Sequence, residues 1–245
     1  MATFVLVHGG GHGGWCYKFV AAELQALGHD VYAPTLTGLA EREDSLTPEI
    51  DLDFHIADVV KLLHFEDLRD VIIVGHSYGG MVITGAADRA IDRIGHIVYL
   101  DAATPTNGQS LVDVAGPSIL AARQTSRVVN GVELCLYPGK DPMSFYGVTD
   151  PEMIEWMRPR LTPHPWRCFD QPLRLVNEAS LWQIPQSHIV CTSTLGGRDV
   201  ARLREISDGR FWDVDTGHDL MLSEPKWVAD KLHQVAVAHD ELRPA

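Results

Sequence analysis

The chain has 245 residues, a length that fits a single α/β domain or a core with an inserted cap. Hydrophobic residues make up 45% of it, which is ordinary for a globular protein that buries a large core. With 20 basic and 33 acidic residues the formal net charge is −13, which argues against nucleic acid and anionic membranes as partners and weakly favours a neutral or cationic substrate.

The first predicted elements are a buried strand and the glycine-rich loop that follows it. Residues 4–7 are apolar, and residues 8–15, HGGGHGGW, lead into a helical stripe that Gly28 closes as a C-cap. The loop lacks the G-x-x-x-x-G-K-[ST] pattern of a phosphate-binding loop. It fits better the HGGG-type loop that supplies one backbone N–H to an oxyanion hole, and we assign this N–H to Gly10.

Strands and helices continue to alternate along the chain. A strand is predicted at residues 31–34, an acidic, turn-rich surface segment at 43–54 and a helix over 55–63. We expect His55 and His64 to be surface or hydrogen-bonded structural histidines rather than metal ligands. The alternation predicts a mostly parallel sheet with right-handed connections and helices on both faces.

Residues 71–80 carry the most informative motif of the sequence. Four apolar, β-branched residues predict a strand buried on both faces, and the pentapeptide GHSYG at 75–79 then fits G-x-S-x-G ahead of a predicted helix. A serine in such a turn is exposed above the sheet edge, at a helix N-terminus that favours developing negative charge. We therefore predict Ser77 as a nucleophile and the Tyr78 N–H as the second oxyanion donor.

The alternating pattern breaks down over residues 106–185. Prolines punctuate this stretch, and Asp150 with Pro151 marks the start of a short helix. No regular strand is visible, so we predict a mostly helical cap that covers the serine and shapes an apolar pocket. The candidate substrate-binding residues of that pocket are aromatic and comprise Phe145, Trp156 and Trp182.

Strand character returns at residues 188–192 and 211–215, and a closing helix is predicted over 225–237. His218 follows the last of these strands. In a parallel sheet that loop opens at the same carboxyl edge as Ser77. A serine hydroxyl needs a base within hydrogen-bond reach, itself oriented by a third group, and we predict His218 as this base.

No segment of the sequence indicates export, a membrane span or a metal centre. The N-terminus enters a strand at once, without a basic region or a long apolar run, so we expect a cytoplasmic protein. The cysteines are far apart and form no C-x-x-C, which makes a metal site or a disulfide framework unexpected.

Together these motifs give the chain a likeness to the α/β-hydrolase family. It looks most like the compact branch that includes plant methyl esterases, hydroxynitrile lyases and bacterial pyrethroid or carbamate esterases. The matching segments are residues 4–15, 28–31, 75–81, 99–105 and 216–221. The resemblance implies an α/β-hydrolase fold with a core at 1–105 and 186–245 and a helical cap at 106–185.

The resemblance leaves two candidates for the acid that orients His218. The family's usual position follows the strand at 188–192, where the first carboxylate is Asp199, a short distance before the histidine. Asp101 instead ends the strand predicted at 97–100, where relatives such as the haloalkane dehalogenases place their acid. We favour Asp101 and keep Asp199 as the alternative; Asp219 points the wrong way along the chain to orient its neighbour.

The function implied by the resemblance is hydrolysis of a small hydrophobic ester or carbamate through an acyl-enzyme, without a cofactor. Lactones, thioesters and the oligomeric state stay open. Hydroxynitrile lyase chemistry is a weaker alternative, because it needs a lysine after the histidine and a threonine in the oxyanion loop, where this chain has Asp219 or Leu220 and Gly9. The other alternative is a non-catalytic receptor for a small ligand on the same fold.

Overall fold

A six-stranded parallel sheet forms the centre of the molecule, which we describe from a computed structural model over residues 1–138 and 146–241. The described strands are β1 (Thr3–Val7), β2 (Asp30–Tyr32), β3 (Val71–His76), β4 (Ile94–Leu100), β5 (Arg127–Val129), β6 (Val132–Cys135), β7 (His164–Pro165), β8 (Gln186–Cys191) and β9 (Phe211–Val214). The central sheet has the order β2-β1-β3-β4-β8-β9, and every neighbouring pair in it is parallel. The predicted mostly parallel central sheet is thereby confirmed.

Helices cover both faces of this sheet. The described α-helices are α1 (Lys18–Ala26), α2 (Leu52–Phe65), α3 (Gly79–Arg89), α4 (Leu111–Ala115), α5 (Pro117–Arg123), α6 (Pro151–Met157), α7 (Arg167–Asp170), α8 (Glu178–Leu181), α9 (Val200–Ile206), α10 (Leu220–Ser223) and α11 (Pro225–Glu241). Short 3-10 helices occur at Gly14–Tyr17, Ala40–Ser45, Ile91–Arg93, Arg158–Arg160 and Thr192–Gly197. Across the two described stretches, each helix falls short of the length or the apolar character needed to cross a bilayer.

The sheet is buried on both faces because successive strand residues enter opposite cores. In β3, Val71 and Ile73 pack into the core that includes α2 and α3, whereas Ile72 and Val74 pack into the core that includes α1 and α11. All six residues of β3 are buried. The continuous apolar run at the start of this strand is the sequence signature of that two-sided burial.

Three strands, β2, β4 and β8, have a boundary that differs from the sequence-based prediction by two or more residues. β2 ends at Tyr32, since Pro34 has no N–H for the ladder. β4 begins at Ile94, earlier than predicted, because its backbone pairs with β3 from that residue onward, across a register shift. The sequence did not indicate this start, because Gly95 and His96 interrupt the apolar pattern of the strand. β8 likewise begins at Gln186, where polar side chains lie buried in the sheet.

The segment between β4 and β8 is not purely helical, which corrects our expectation that it holds no regular strand. β5, β6 and β7 form a small antiparallel sheet in that order. Their shortness, and the exposure of all three residues of β5, hid them from a periodicity analysis. Helices α4 to α8 make up much of the remainder, and the division of the chain at residues 105 and 186 stays a prediction.

Candidate active site

Ser77 occupies a tight turn between β3 and α3. Its backbone has φ = 54°, a left-handed conformation that costs a non-glycine residue about 1–2 kcal/mol. The turn requires glycine on the helix side: a Cβ on Gly79 would lie 2.6 Å from the Val7 carbonyl oxygen, and one on Gly80 would lie 2.0 Å from that of Ala103. The G-x-S-x-G pattern thus reflects the space between strand and helix.

The register of β3 and β4 brings Ser77 and Asp101 to the same edge of the sheet. His76 pairs with Leu100, so the next residue on each strand lies beside the other. Asp101 also has a left-handed backbone, with φ = 44°. Its N–H donates to the Ile189 carbonyl at 2.6 Å, which ties the end of β4 to β8.

His218 bridges these two side chains. Its Nε2 lies 2.9 Å from Ser77 Oγ, and its Nδ1 lies 2.5 Å from Asp101 Oδ2. The Asp101 side chain is fully buried, while that of His218 is 16% exposed. This chain of hydrogen bonds lets the imidazole accept a proton from the serine while the carboxylate stabilises the resulting positive charge.

Burial alone would raise the pKa of Asp101, but its partners reverse that effect. The hydrogen bond from His218, the charges of His218 and Arg198 and the Thr194 hydroxyl hold the pKa of this carboxyl well below its ordinary value. Asp101 is therefore ionised at neutral and mildly acidic pH.

Asp199, the alternative acid, has a different role in the structure. It is exposed, and its Oδ1 accepts the N–H of Arg202 at 3.0 Å as the N-cap of α9. Among the described residues, Asp101 is the carboxylate that is hydrogen-bonded to His218 Nδ1. The structure thus brings Ser77, His218 and Asp101 together and leaves Asp199 at a helix end.

The glycine-rich loop packs directly over the serine. A Cβ on Gly9 would lie 2.8 Å from Ser77 Cβ, and one on Gly10 would lie 2.9 Å from Leu136 Cδ1. The Gly10 carbonyl accepts a hydrogen bond from His12 Nδ1 at 2.9 Å, which fixes the orientation of its peptide. Tyr78, the other predicted donor residue, is the N-cap of α3, directly after the nucleophile.

The side chain of Tyr78 points into the core and joins a buried hydrogen-bond chain. Its hydroxyl lies 2.9 Å from His55 Nδ1, and His55 Nε2 lies 3.0 Å from the Thr37 carbonyl. Burial lowers the pKa of His55 to about 4, so the ring is neutral. His55 is thus a hydrogen-bonded structural histidine, as predicted, and His64 is exposed.

Behind His218 lie three buried residues to which the sequence analysis assigned no role, namely His12, His76 and Asp219. His12 Nε2 lies 2.9 Å from Asp219 Oδ2, and His76 Nε2 donates to the His218 carbonyl at 2.9 Å. Burial disfavours the charged form of His12, but the Asp219 carboxylate raises its pKa above the ordinary value. His76 thus holds the backbone of His218 directly, whereas His12 holds the side chain of the next residue. No spacing rule could have paired His12 with Asp219, because they lie at opposite ends of the chain.

A cavity of about 940 Å³ opens at Ser77 and His218. Apolar side chains, including Leu111, Ile119 and Trp182, contribute to its wall, which places Trp182 where we predicted a substrate-binding aromatic. Trp156 lies elsewhere: it packs against Trp15 and Phe19, with ring centroids 5.5 and 5.4 Å apart, because α6 contributes to the core on the other face of the sheet. Phe145 lies outside the described residues.

One cluster in the described part of the chain resembles a metal site in composition. His55, His164 and Cys168 are buried, with donor atoms within 4.8 Å of one another. Both nitrogens of His55 already have hydrogen-bond partners, and burial raises the pKa of the Cys168 thiol well above its ordinary range. A metal ion requires a thiolate and a free imidazole lone pair, so these residues fit a metal poorly.

Comparisons with known proteins confirm the predicted α/β-hydrolase fold class. The profile described as "Alpha/beta hydrolase family" matches residues 4–231. A carbendazim hydrolyzing esterase from Nocardioides sp. (strain SG-4G) is 36% identical over 242 residues, which cover 95% of this chain and 98% of the relative. Methylesterase 2 from Arabidopsis thaliana is 34% identical over 109 residues, or 44% of this chain and 41% of the relative.

A solved structure is similar over almost the whole length. It is an extracellular alpha/beta-hydrolase from a Paenibacillus species, described as sharing structural and functional homology with tobacco salicylic acid binding protein 2. It is 25% identical, has a TM-score of 0.78 and aligns over 96% of this chain and 98% of its own. The predicted resemblance to a branch with plant methyl esterases is confirmed by these relatives.

Proposed function

Since the chain belongs to the alpha/beta hydrolase family, we propose that it is a serine esterase that cleaves a small hydrophobic carboxylic ester or carbamate. The observation that carries the proposal is the hydrogen-bond chain from Ser77 Oγ through His218 to Asp101, with distances of 2.9 and 2.5 Å. A relative over nearly the whole chain is an esterase, which supports the same reaction class.

The first step is attack of Ser77 on the carbonyl carbon of the ester. His218 Nε2 takes the hydroxyl proton as the new C–O bond forms, and Asp101 stabilises the imidazolium. The negative charge moves to the carbonyl oxygen, where the N–H groups of Gly10 and Tyr78 are the proposed donors. Such a pair lowers the barrier because its dipoles are fixed before the charge develops.

The second half of the cycle releases the product. His218 gives its proton to the leaving alcohol or amine as the tetrahedral intermediate collapses to an acyl-enzyme. A water molecule then attacks the acyl carbon, and the same imidazole takes its proton. The bond between the acyl carbon and Ser77 Oγ then breaks, and His218 gives its proton back to Oγ. The carboxylic or carbamic acid is released.

The cavity supports a hydrophobic substrate of moderate size. Its volume of about 940 Å³ lies at the upper end of ordinary small-molecule sites. Trp182 and Ile119 offer apolar contact, while Thr104 and Gln183 supply polar groups on its wall. Because the relative from Nocardioides hydrolyses carbendazim, that compound belongs in the first substrate panel.

The proposal is tested by steady-state hydrolysis of p-nitrophenyl esters of increasing chain length and of carbendazim. We expect turnover by the unaltered protein and a loss of at least about 10³-fold in Ser77→Ala, because the acyl-enzyme then has no nucleophile. Ser180→Ala, which alters an exposed serine, is the matched control and should retain full activity.

The same experiment distinguishes the alternatives. Undiminished hydrolysis by Ser77→Ala would reject the mechanism. A single turnover followed by retained product would indicate a ligand receptor, and cyanide release from mandelonitrile without ester hydrolysis would indicate lyase chemistry.

A further inference from the structure

We propose that Arg198 and Thr194 are positioning residues that hold the triad acid, so that the loop after β8 acts in catalysis through donors rather than through a carboxylate of its own. The inference rests on the proposed function, because it needs Asp101 to serve as the acid. It goes beyond that function by assigning a catalytic task to two residues outside the triad.

The two oxygens of Asp101 have separate partners. Oδ2 faces His218 Nδ1, whereas Oδ1 accepts three hydrogen bonds from the last residue of β8 and the segment that follows it. These donors are the Cys191 N–H at 3.2 Å, the Thr194 hydroxyl at 2.6 Å and Arg198 Nη2 at 2.9 Å. With Oδ1 saturated, rotation of the carboxylate would break these bonds, so Oδ2 is fixed toward the imidazole.

Arg198 forms hydrogen bonds to two consecutive residues of the chain, Asp101 and Ala102. Its Nη2 binds the Asp101 carboxylate, and its Nη1 donates to the Ala102 carbonyl at 2.8 Å. The side chain is only 20% exposed, and Asp101 is fully buried, so solvent screens this pair little. A planar guanidinium can make both contacts at once, whereas the point-like ammonium of a lysine cannot.

Thr194 connects the acid to the strand end. Its hydroxyl donates to Asp101 and also lies 3.1 Å from the Cys191 carbonyl. The short helix Thr192–Gly197 thus turns the chain so that one hydroxyl, one amide and one guanidinium converge on a single oxygen. A purely structural ion pair would not require three donors on the oxygen that faces away from the histidine.

The charge of Arg198 also affects the base indirectly. Asp101 attracts the imidazolium that forms during catalysis, and the neighbouring guanidinium weakens that attraction. Removing the charge should therefore favour the protonated histidine, which cannot accept the serine proton. This predicts that the acidic limb of the activity profile moves to higher pH when the charge is lost, an effect that a merely structural role for Arg198 would not produce.

The experiment compares two pairs of variants. Arg198→Met removes the charge and both hydrogen bonds, whereas Arg198→Lys keeps the charge; Thr194→Val removes the hydroxyl, whereas Thr194→Ser keeps it. The readouts are kcat/KM for a p-nitrophenyl ester from pH 5 to 9, the rate of covalent inactivation by diisopropyl fluorophosphate, and the unfolding temperature.

For Arg198→Met we expect a loss of about tenfold or more at the pH plateau. Its acidic limb should move to higher pH, because the guanidinium charge that opposes the imidazolium is gone. Arg198→Lys should keep the acidic limb at its wild-type pH and lose less activity than Arg198→Met. Thr194→Val should lose about tenfold at the plateau, with inactivation slowed in parallel, while Thr194→Ser stays within about twofold of wild type.

Wild-type rates and an unshifted limb in Arg198→Met would overturn the inference. If Arg198→Met does not fold, the threonine pair decides, and equal rates for the Val and Ser variants would overturn it. Failure of the proposed function looks different: the unaltered protein would then neither hydrolyse esters nor react with the fluorophosphate, and the inference would fall with it.

Discussion

At the scale of single residues, the hydrogen-bond donors around Asp101 determine how a substituted side chain is oriented at this position. Its Oδ1 accepts three hydrogen bonds, so a replacement side chain that carries one oxygen places that oxygen in the same position. An asparagine would therefore place its carbonyl oxygen toward Arg198 and its NH₂ toward His218. The amide would then donate to Nδ1, which forces the imidazole proton onto Nε2, where it faces Ser77.

We therefore predict that Asp101→Asn folds and binds substrate but loses about 10³–10⁴ in kcat, because the imidazole is held in the wrong tautomer. Steady-state kinetics and unfolding temperature measured together test this. Asp199→Asn is the control: asparagine caps a helix about as well as aspartate, so we expect its rate to stay within about threefold of wild type. A larger loss in Asp199→Asn than in Asp101→Asn would reject our assignment.

The sequence alone was sufficient to predict some residues of the candidate site but not others. Ser77 and His218 could be placed because each follows a predictable strand at the same edge of a parallel sheet. The sequence favoured Asp101 but left Asp199 open, because the choice depends on the register of β3 with β4 and on donors from Thr194 and Arg198. Those contacts join distant parts of the chain and leave no local pattern.

At the scale of elements, the loop that carries His218 is packed backbone to backbone against the segment that follows β6. A Cβ on Gly217 would lie 2.2 Å from Gly147 Cα, and Gly147 itself has φ = 72°. Nearby, the Asp219 N–H donates to the Tyr146 carbonyl at 2.8 Å. Because no side chain fits between these backbones, the position of the histidine depends on this approach.

Gly217→Ala should therefore displace the loop. We expect kcat/KM to fall by about 10–100-fold, because a small misplacement of a catalytic group is costly, and stability to fall by about 1–3 kcal/mol from overpacking. Ester hydrolysis and urea denaturation measure the two effects. Gly196→Ala is the matched control in the neighbouring loop, since a Cβ there meets nothing within 4 Å. Equal behaviour of the two variants would contradict the prediction.

Element prediction from the sequence succeeded for the central sheet and failed for the small antiparallel one. The strands of the central sheet are buried on both faces, so their apolar runs are visible without any partner. β5 is three residues long and exposed, and β7 has only two residues, one of them Pro165. Such strands exist because they pair with β6, which a periodicity analysis cannot detect.

At the scale of the whole molecule, buried histidines link stability to acidity. Burial lowers the pKa of seven of the twelve histidines, which are His8, His29, His55, His76, His96, His164 and His188. These rings are neutral in the folded state. In the unfolded chain they bind protons below about pH 6.5, so protonation favours unfolding there.

We predict that the free energy of unfolding falls steeply as the pH drops from about 6.5 toward 4. Each such histidine contributes up to about 1.4 kcal/mol per pH unit. Urea denaturation across this range measures the slope. His188→Phe is an informative variant: the ring stacks on Tyr99 at 4.9 Å, and neither of its nitrogens has a hydrogen-bond partner among the described residues.

Phenylalanine keeps that stacking and removes a titrating group. In His188→Phe the free energy of unfolding should therefore depend less steeply on pH, by the equivalent of about one proton taken up on unfolding. The protein should also become more stable at acidic pH. An unchanged slope would show that this histidine is already protonated in the folded state, or that it stays neutral in the unfolded chain.

The adjacency of β3 and β4 has a consequence for how activity arises during synthesis. Ser77 and Asp101 directly follow two neighbouring strands, β3 and β4, which pair with each other between residues 71 and 100. His218 comes from the other end of the polypeptide, after β9. On the proposed mechanism, a ribosome-bound chain that stops short of β9 holds the nucleophile and the acid but lacks the base. We therefore expect ester hydrolysis to begin only after the C-terminal strand has joined the sheet.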